Sequence, residues 1–146
     1  NENRAILIDP TGSILWDYAK SAQVFNDGNA PGPGIVPVVE TPYGRLATVI
    51  CFDADYPALV RQAGQANTDI LLVPSSDWQP IAEMHSRMAI LRAIENGVAL
   101  VRPTRLGTSL AADHQGRLLS KEPARCMFLS EIALLICPWP GSLFWQ

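Results

Sequence analysis

The sequence predicts an α/β fold built in layers. Three observations carry that prediction: short, almost wholly apolar runs that read as strands buried on both faces, a long segment with helical apolar spacing, and turn tetrapeptides between them. Strand patterns alternate with helix patterns and hairpins, and no internal repeat is visible.

Ile6 to Ile8 and Ile14 to Tyr18 flank Asp9-Pro10-Thr11-Gly12, which predicts a hairpin, with Pro and Gly in favoured turn positions. Residues 21–34 lose periodicity and end in Pro31-Gly32-Pro33-Gly34, a surface loop. No helix pattern or Lys-Ser/Thr pair follows those glycines, which argues against a phosphate-binding loop. Val36 to Val39 and Leu46 to Phe52 read as strands around the turn Thr41-Pro42-Tyr43-Gly44, the second of them doubly buried. Asp55 is placed to cap a helix from Tyr56 to about Ala66, with Leu59, Val60 and Ala63 as its apolar stripe. Ile70 to Val73 is another buried strand. Ile81, Met84, Met88, Leu91 and Glu95 recur at helical spacing over residues 81–96, and Gly97 sits where a helix ends. Val98 to Arg102 and Thr108 to Ala112 return to strand, before the turn Asp113-His114-Gln115-Gly116.

With 146 residues, the chain fits one domain with a single core. Its formal net charge is −3, with no run of Lys or Arg, which argues against a nucleic-acid partner. Three cysteines without paired spacing argue against a disulfide framework and for a reducing compartment. The chain opens directly on a strand pattern, Arg4 to Ile8, with no initiator Met and no signal-peptide pattern before it, so it reads as a fragment that begins inside a domain. From Cys126 to Gln146 it is markedly apolar, but Glu131, Pro138 and Pro140 argue against a membrane span and for a buried strand or an altered terminus.

Cys51 is the leading candidate for chemistry. It lies at the carboxyl end of a buried strand, shortly before a helix N-terminus, where layered α/β proteins bind ligands and where a thiol is activated. Thiol hydrolases pair Cys with His, or with Lys and a carboxylate. His85 falls in the Met-containing helix and His114 in a turn, and neither is tied by sequence to Cys51. No glycines flank Cys51, so the sharp elbow that presents the nucleophile of glutaminases and α/β-hydrolases is expected to be missing. The absence of Gly-x-Ser-x-Gly, His-Glu-x-x-His and Cys-x-x-Cys motifs sets aside serine-hydrolase and zinc-enzyme readings, and no metal or other cofactor is expected.

Thr48-Val49-Ile50-Cys51-Phe52-Asp53-Ala54-Asp55-Tyr56-Pro57 resembles the nucleophile motif of the nitrilase, or carbon-nitrogen hydrolase, superfamily. Asp17-Tyr18-Ala19-Lys20 is similar to the strand end that supplies its catalytic lysine. Leu71 through Trp78 resembles the strand and loop lining its pocket, and His85 through Asn96 the helix that follows. Gly107-Thr108-Ser109, Asp113 and Gly116 continue the pattern. The resemblance runs over residues 4–119. Leu59-Val60-Arg61, Ser76-Asp77-Trp78 and Leu100 to Thr104 look most like the apolipoprotein N-acyltransferase branch.

The resemblance implies a four-layer α-β-β-α sandwich of which this chain supplies part, with a carbon-nitrogen hydrolase region over 1–120, the N-terminal half missing, and a divergent tail over 121–146. It implies that Cys51 attacks an amide, nitrile or acyl carbon and forms a thioester or thioimidate. Lys20 and the backbone N–H after Cys51 would stabilise the oxyanion. Phe52 and Trp78 would contact substrate. The implied substrate is a small amide or nitrile, or a lipid acyl donor. A soluble amidase would be cytoplasmic, whereas the acyltransferase branch is tethered to the inner membrane. Homo-oligomers are the family habit.

The superfamily's general-base Glu has no counterpart in this sequence: Glu2 is too near Lys20, and where a second Glu often follows the lysine only Asp27 is available. Helix capping accounts for Asp55, and a local structural role for Asp53. Arg92 and Glu95 read as an ion pair one turn apart, with Asn96 also structural. Two other readings stay open. One is a catalytically incomplete module that serves only packing or interaction. The other is a Cys-His hydrolase using His85 or His114.

Overall fold

The structure, a computed structural model, describes residues 3–24 and 28–122. Glu2, Asp27, Cys126, Cys137 and nearly all of the expected apolar tail lie outside the described residues.

The chain opens as an antiparallel hairpin of β1 (Arg4–Ile8) and β2 (Ile14–Ala19). Its turn is closed by Asp9, whose carboxylate accepts hydrogen bonds from the Thr11 and Ser13 N–H groups. β3 (Val38–Thr41) and β4 (Gly44–Thr48) form the second hairpin. The segment over Thr41-Pro42-Tyr43-Gly44 turns as its sequence predicts, but β3 begins two residues later than expected. α1 (Pro57–Gln65), β5 (Ile70–Leu72), β6 (Ser75–Ser76), α2 (Ala82–Asn96), β7 (Ala99–Arg102), β8 (Thr104–Arg105), β9 (Ser109–Ala112) and β10 (Leu118–Glu122) complete the described elements. β10 and the short β6–β8 pair were not expected from the sequence; β10 is exposed at every position and carries no inward-facing pattern.

Among the described residues the main sheet has six strands in the order β10-β9-β7-β5-β4-β3. Its centre, β4, β5 and β7, is parallel, and its flanks are antiparallel. Each parallel step is bridged by a helix, α1 between β4 and β5 and α2 between β5 and β7.

Side-chain alternation divides the sheet into two faces. Ala47, Val49, Leu71, Val73, Leu100, Leu110 and Ala112 point to one side and pack with Val60 and Ala63 of α1 and Ala89 and Ala93 of α2. Leu46, Ile50, Ile70, Leu72 and Val101 point to the other and pack with Leu7, Trp16 and Tyr18 of the first hairpin. The layers are therefore helices, main sheet and the β1–β2 ribbon. The near-continuous apolar runs follow from this double burial. Small residues on the helix face let α1 and α2 pack closely; a Cβ on Gly64 of α1 would stand 2.8 Å from Asn96 Oδ1 at the end of α2. α2 ends at Gly97, with φ of +66°, as its sequence predicts. Among the described residues, no helix is long and apolar enough to cross a membrane.

Candidate active site

The three parallel strands deliver their carboxyl ends to one edge of the sheet, where open α/β folds bind ligands. Cys51 follows β4, Ser75 to Asp77 follow β5, and Arg102 closes β7.

The strand expected over 46–52 ends at Thr48, and residues 51–55 form a 3₁₀ turn. Cys51 occupies the left-handed region, with φ of +50°. A non-glycine residue there carries local strain, and such strain concentrates at functional sites. The expectation that the sharp elbow is missing is therefore corrected: a strained turn presents Cys51. Absence of flanking glycine is a poor guide because the surroundings hold the turn. The Cys51 N–H donates to Pro74 O at 2.9 Å, and its Sγ lies 3.8 Å from Ser76 O. The half-buried thiol packs on the hairpin side of the sheet, in the cluster that contains Tyr18.

Asp53 locks this turn to the end of β2. One carboxylate oxygen accepts from Tyr18 Oη at 2.8 Å and the Ile50 N–H at 3.0 Å; the other accepts from the N–H groups of Ser21 and Ala22 at 3.1 and 2.6 Å. The residue is fully buried, and its role is structural, as the sequence suggests. Tyr18 is pushed up strongly, chiefly by burial, with the Asp53 charge acting in the same direction. Lys20 lies between the Tyr18 and Ser21 anchors. It is 7% exposed, unlike an ordinary strand-end lysine in solvent. Its carbonyl accepts the Gly32 N–H at 2.7 Å, and a Cβ on Gly32 would overlap the Ala19 carbonyl.

Asp55 does not cap α1. Tyr56 occupies the N-cap without a side-chain hydrogen bond, and Pro57 at the first helical position removes one donor that a cap would serve. Asp55 turns instead toward His85, with Oδ2 3.4 Å from Nε2. Burial raises the Asp55 pKa above its ordinary 3.8; His85, Arg102 and Arg92 pull it down, while Asp77 adds to the rise.

His85 is the residue that sequence reading failed to connect. It sits buried on the first turns of α2, with Nδ1 3.2 Å from Asp77 Oδ1. A His85 ring nitrogen, an Asp77 oxygen and Cys51 Sγ all lie within 4.8 Å of one another. Arg102 Nη2 donates to both Asp77 oxygens, at 3.0 and 2.9 Å, and its Nη1 donates to Thr104 Oγ1 at 2.8 Å. Gly107 leaves room for this pair: a Cβ there would lie 2.5 Å from Asp77 Oδ2. His114 lies exposed in the β9–β10 turn.

Phe52 is half-buried, its ring edge-on to Tyr56 at 5.4 Å between centroids and tilted against His85 at 6.2 Å. Trp78 is 55% exposed beside the buried Asp77, so it is not a core residue. Arg92 and Glu95 form the expected ion pair, and Asn96 donates to Arg92 O.

The family model for carbon-nitrogen hydrolases matches residues 1–128. The chain belongs to the carbon-nitrogen hydrolase family. It is 27% identical over 118 residues to the apolipoprotein N-acyltransferase of Photobacterium profundum, covering 78% of this chain and 23% of that protein. It is 29% identical over 119 residues to the deaminated glutathione amidase of Dictyostelium discoideum, covering 72% and 40%. The amidase from Nesterenkonia sp. shares the fold, with a TM-score of 0.75 at 24% identity over 84% of this chain and 51% of that one. A mutant of the Nesterenkonia amidase, at 25% identity and TM-score 0.72 over 82% of this chain and 50% of that one, shows covalent addition of the acetamide moiety of fluoroacetamide at its active-site cysteine. The chain thus spans less than half the length of these curated relatives and about half of the amidase. The layered α/β arrangement expected from the carbon-nitrogen hydrolase resemblance is the one observed.

Proposed function

We propose that this chain carries the nucleophile of a thiol-dependent enzyme acting on carbon-nitrogen or acyl bonds, with Cys51 as that nucleophile. The observation that carries the reading is the placement of Cys51 at φ of +50° on the turn after β4. Such a turn lifts a side chain clear of the strand and toward an incoming electrophile.

The Cys51 thiolate adds to the substrate's carbonyl carbon. Lys20, with the N–H that follows Cys51, stabilises the oxyanion. Collapse of the tetrahedral intermediate breaks the bond to the leaving group, which departs with a proton, and leaves an acyl thioester on Cys51. Water then releases a carboxylic acid, or an amine takes the acyl group. The thiol proton passes to a carboxylate, which the family resemblance assigns to a Glu with no match in this sequence. Phe52 and Trp78 contact the substrate. The acyltransferase relatives and the Ser76-Asp77-Trp78 pattern favour a lipid acyl donor and an amine acceptor. The amidase relative supports a small amide instead.

The proximity of His85 to Cys51 favours a second reading, in which His85 takes the thiol proton and Asp77 orients the ring. The two readings separate by mutation. Under the first, Lys20→Ala lowers kcat/KM by about 10²–10³, as loss of an oxyanion donor does, while His85→Ala has a smaller effect. The second predicts the reverse. Iodoacetamide labelling of the full chain with peptide mapping tests the nucleophile itself. Cys51 should alkylate ahead of Cys126 and Cys137, and equal or slower labelling would overturn the assignment.

A further inference from the structure

Three side chains suited to a borderline-soft metal converge from three elements. Cys51 comes from the turn after β4, Asp77 from the loop after β6 and His85 from α2, and their ligand atoms lie within 4.8 Å of one another. A tetrahedral Zn²⁺ with ordinary bond lengths holds such atoms roughly 3.3–3.5 Å apart. His85 Nδ1 and Asp77 Oδ1, at 3.2 Å, are already near that spacing. With the three ligand atoms within 4.8 Å of one another, the half-buried Cys51 Sγ has at most about 1.3 Å to close.

The surroundings suit a cation. His85 Nδ1 lies beside Asp77, so with Nδ1 on the metal the other ring nitrogen, Nε2, faces the Asp55 carboxylate at 3.4 Å. A carboxylate behind the ring is the usual support for a metal-bound histidine. Arg102 Nη2 fixes the Asp77 carboxylate by donating to both of its oxygens. Sulfur, nitrogen and a single oxygen select Zn²⁺-like ions over Mg²⁺ or Ca²⁺.

We propose that Cys51, His85 and Asp77 form a binding site for a Zn²⁺-class divalent cation, with the fourth position left to water. In binding, the Cys51 S–H bond breaks, its proton goes to the buffer and an S–Zn bond forms, with no change of oxidation state. The site takes the same thiol that the proposed reaction uses, so metal and substrate exclude each other. The metal acts here as a block on that reaction, and takes no part in it.

The test is to titrate the reduced full chain with Zn²⁺ by calorimetry in buffers of different ionisation enthalpy, with Mg²⁺ as control. Co²⁺ absorption and iodoacetamide labelling of Cys51 with and without Zn²⁺ complete it. The expected result is one Zn²⁺ per chain with a proton released, a thiolate-to-Co²⁺ charge-transfer band that Cys51→Ser abolishes, and protection of Cys51 from alkylation. His85→Gln should weaken Zn²⁺ binding at least tenfold, and Asp55→Asn about tenfold. Failure of Zn²⁺ to protect Cys51 in the unmutated chain, equal binding of Mg²⁺, or Zn²⁺ affinity unchanged by His85→Gln would each overturn the site. None of these readouts needs turnover, so their failure leaves the thiol reaction to its own test.

Discussion

The Asp77 carboxylate and the Arg102 guanidinium are held together out of water, with one Nη2 2.9 and 3.0 Å from the two carboxylate oxygens and side chains 0% and 2% exposed. The pair joins the loop after β6 to the end of β7 and presents Asp77 to His85. Removing one partner of such a pair strands a buried charge. Arg102→Met should therefore cost about 3–5 kcal/mol in urea denaturation of the full chain, and the double substitution Asp77→Leu with Arg102→Met should recover much of that loss. A loss below about 1 kcal/mol for Arg102→Met would mean that the pair is solvated, as surface pairs are.

Asp53 couples the two residues proposed for chemistry, since it holds the turn that carries Cys51 and the backbone just after Lys20. Asp53→Asn keeps one acceptor oxygen but turns an NH₂ toward donors that need an acceptor. Stability should fall by about 3 kcal/mol, the scale for buried donors deprived of a charged acceptor. Displacement of Lys20 relative to Cys51 should also lower kcat by about 10²-fold, the scale of an ångström's misplacement. Tyr18→Phe removes only one donor to Asp53 and should show smaller losses in both measurements. Equal turnover in Asp53→Asn and the unmutated chain would show that the anchor does not position the site.

Asp55 gives stability a pH dependence of unusual sign for a carboxylate. Burial raises its pKa, so the folded chain holds the proton more tightly than the unfolded chain does. That contribution is complete below the unfolded value near 3.8 and is lost as pH rises through the raised native value. The urea midpoint of the unmutated chain, measured against that of Asp55→Asn, should fall across this window and then level off. The comparison isolates Asp55 from Asp9, Glu83 and Asp113, whose lowered pKa values act in the opposite direction. A midpoint difference independent of pH would contradict the raised pKa.

What the sequence disclosed follows from how local each signal is. The first hairpin, the doubly buried strands and α2 were legible because alternation, apolar runs and helical spacing are written along the chain. Cys51 and Lys20 stood out because each sits in a short motif. His85 did not, because its link to Cys51 depends on how α2 crosses the ends of β4 and β5, which no local pattern records. The Asp55 cap failed for a related reason: a carboxylate before a helix suits an N-terminus, but here a histidine brought by another element competes for it. The elbow was hidden because its strained φ falls on a cysteine rather than a glycine.

That strained φ supplies the sharpest test of the nucleophile's placement. At φ of +50° an L side chain crowds the following carbonyl, at a cost of roughly 1–2 kcal/mol that glycine avoids. Part of the gain from glycine is offset by its greater freedom in the unfolded chain. Cys51→Gly should therefore be more stable than Cys51→Ala by about 1 kcal/mol, with both variants inactive. Thermal or urea denaturation of the two variants measures the difference directly, without reference to substrate. If Cys51→Ala is the more stable, the backbone at this position is relaxed and the elbow geometry is wrong. If Cys51→Gly is the more stable, the chain keeps a strained residue at a point where a relaxed one would fold better, which is the pattern expected when the side chain is retained for reactivity.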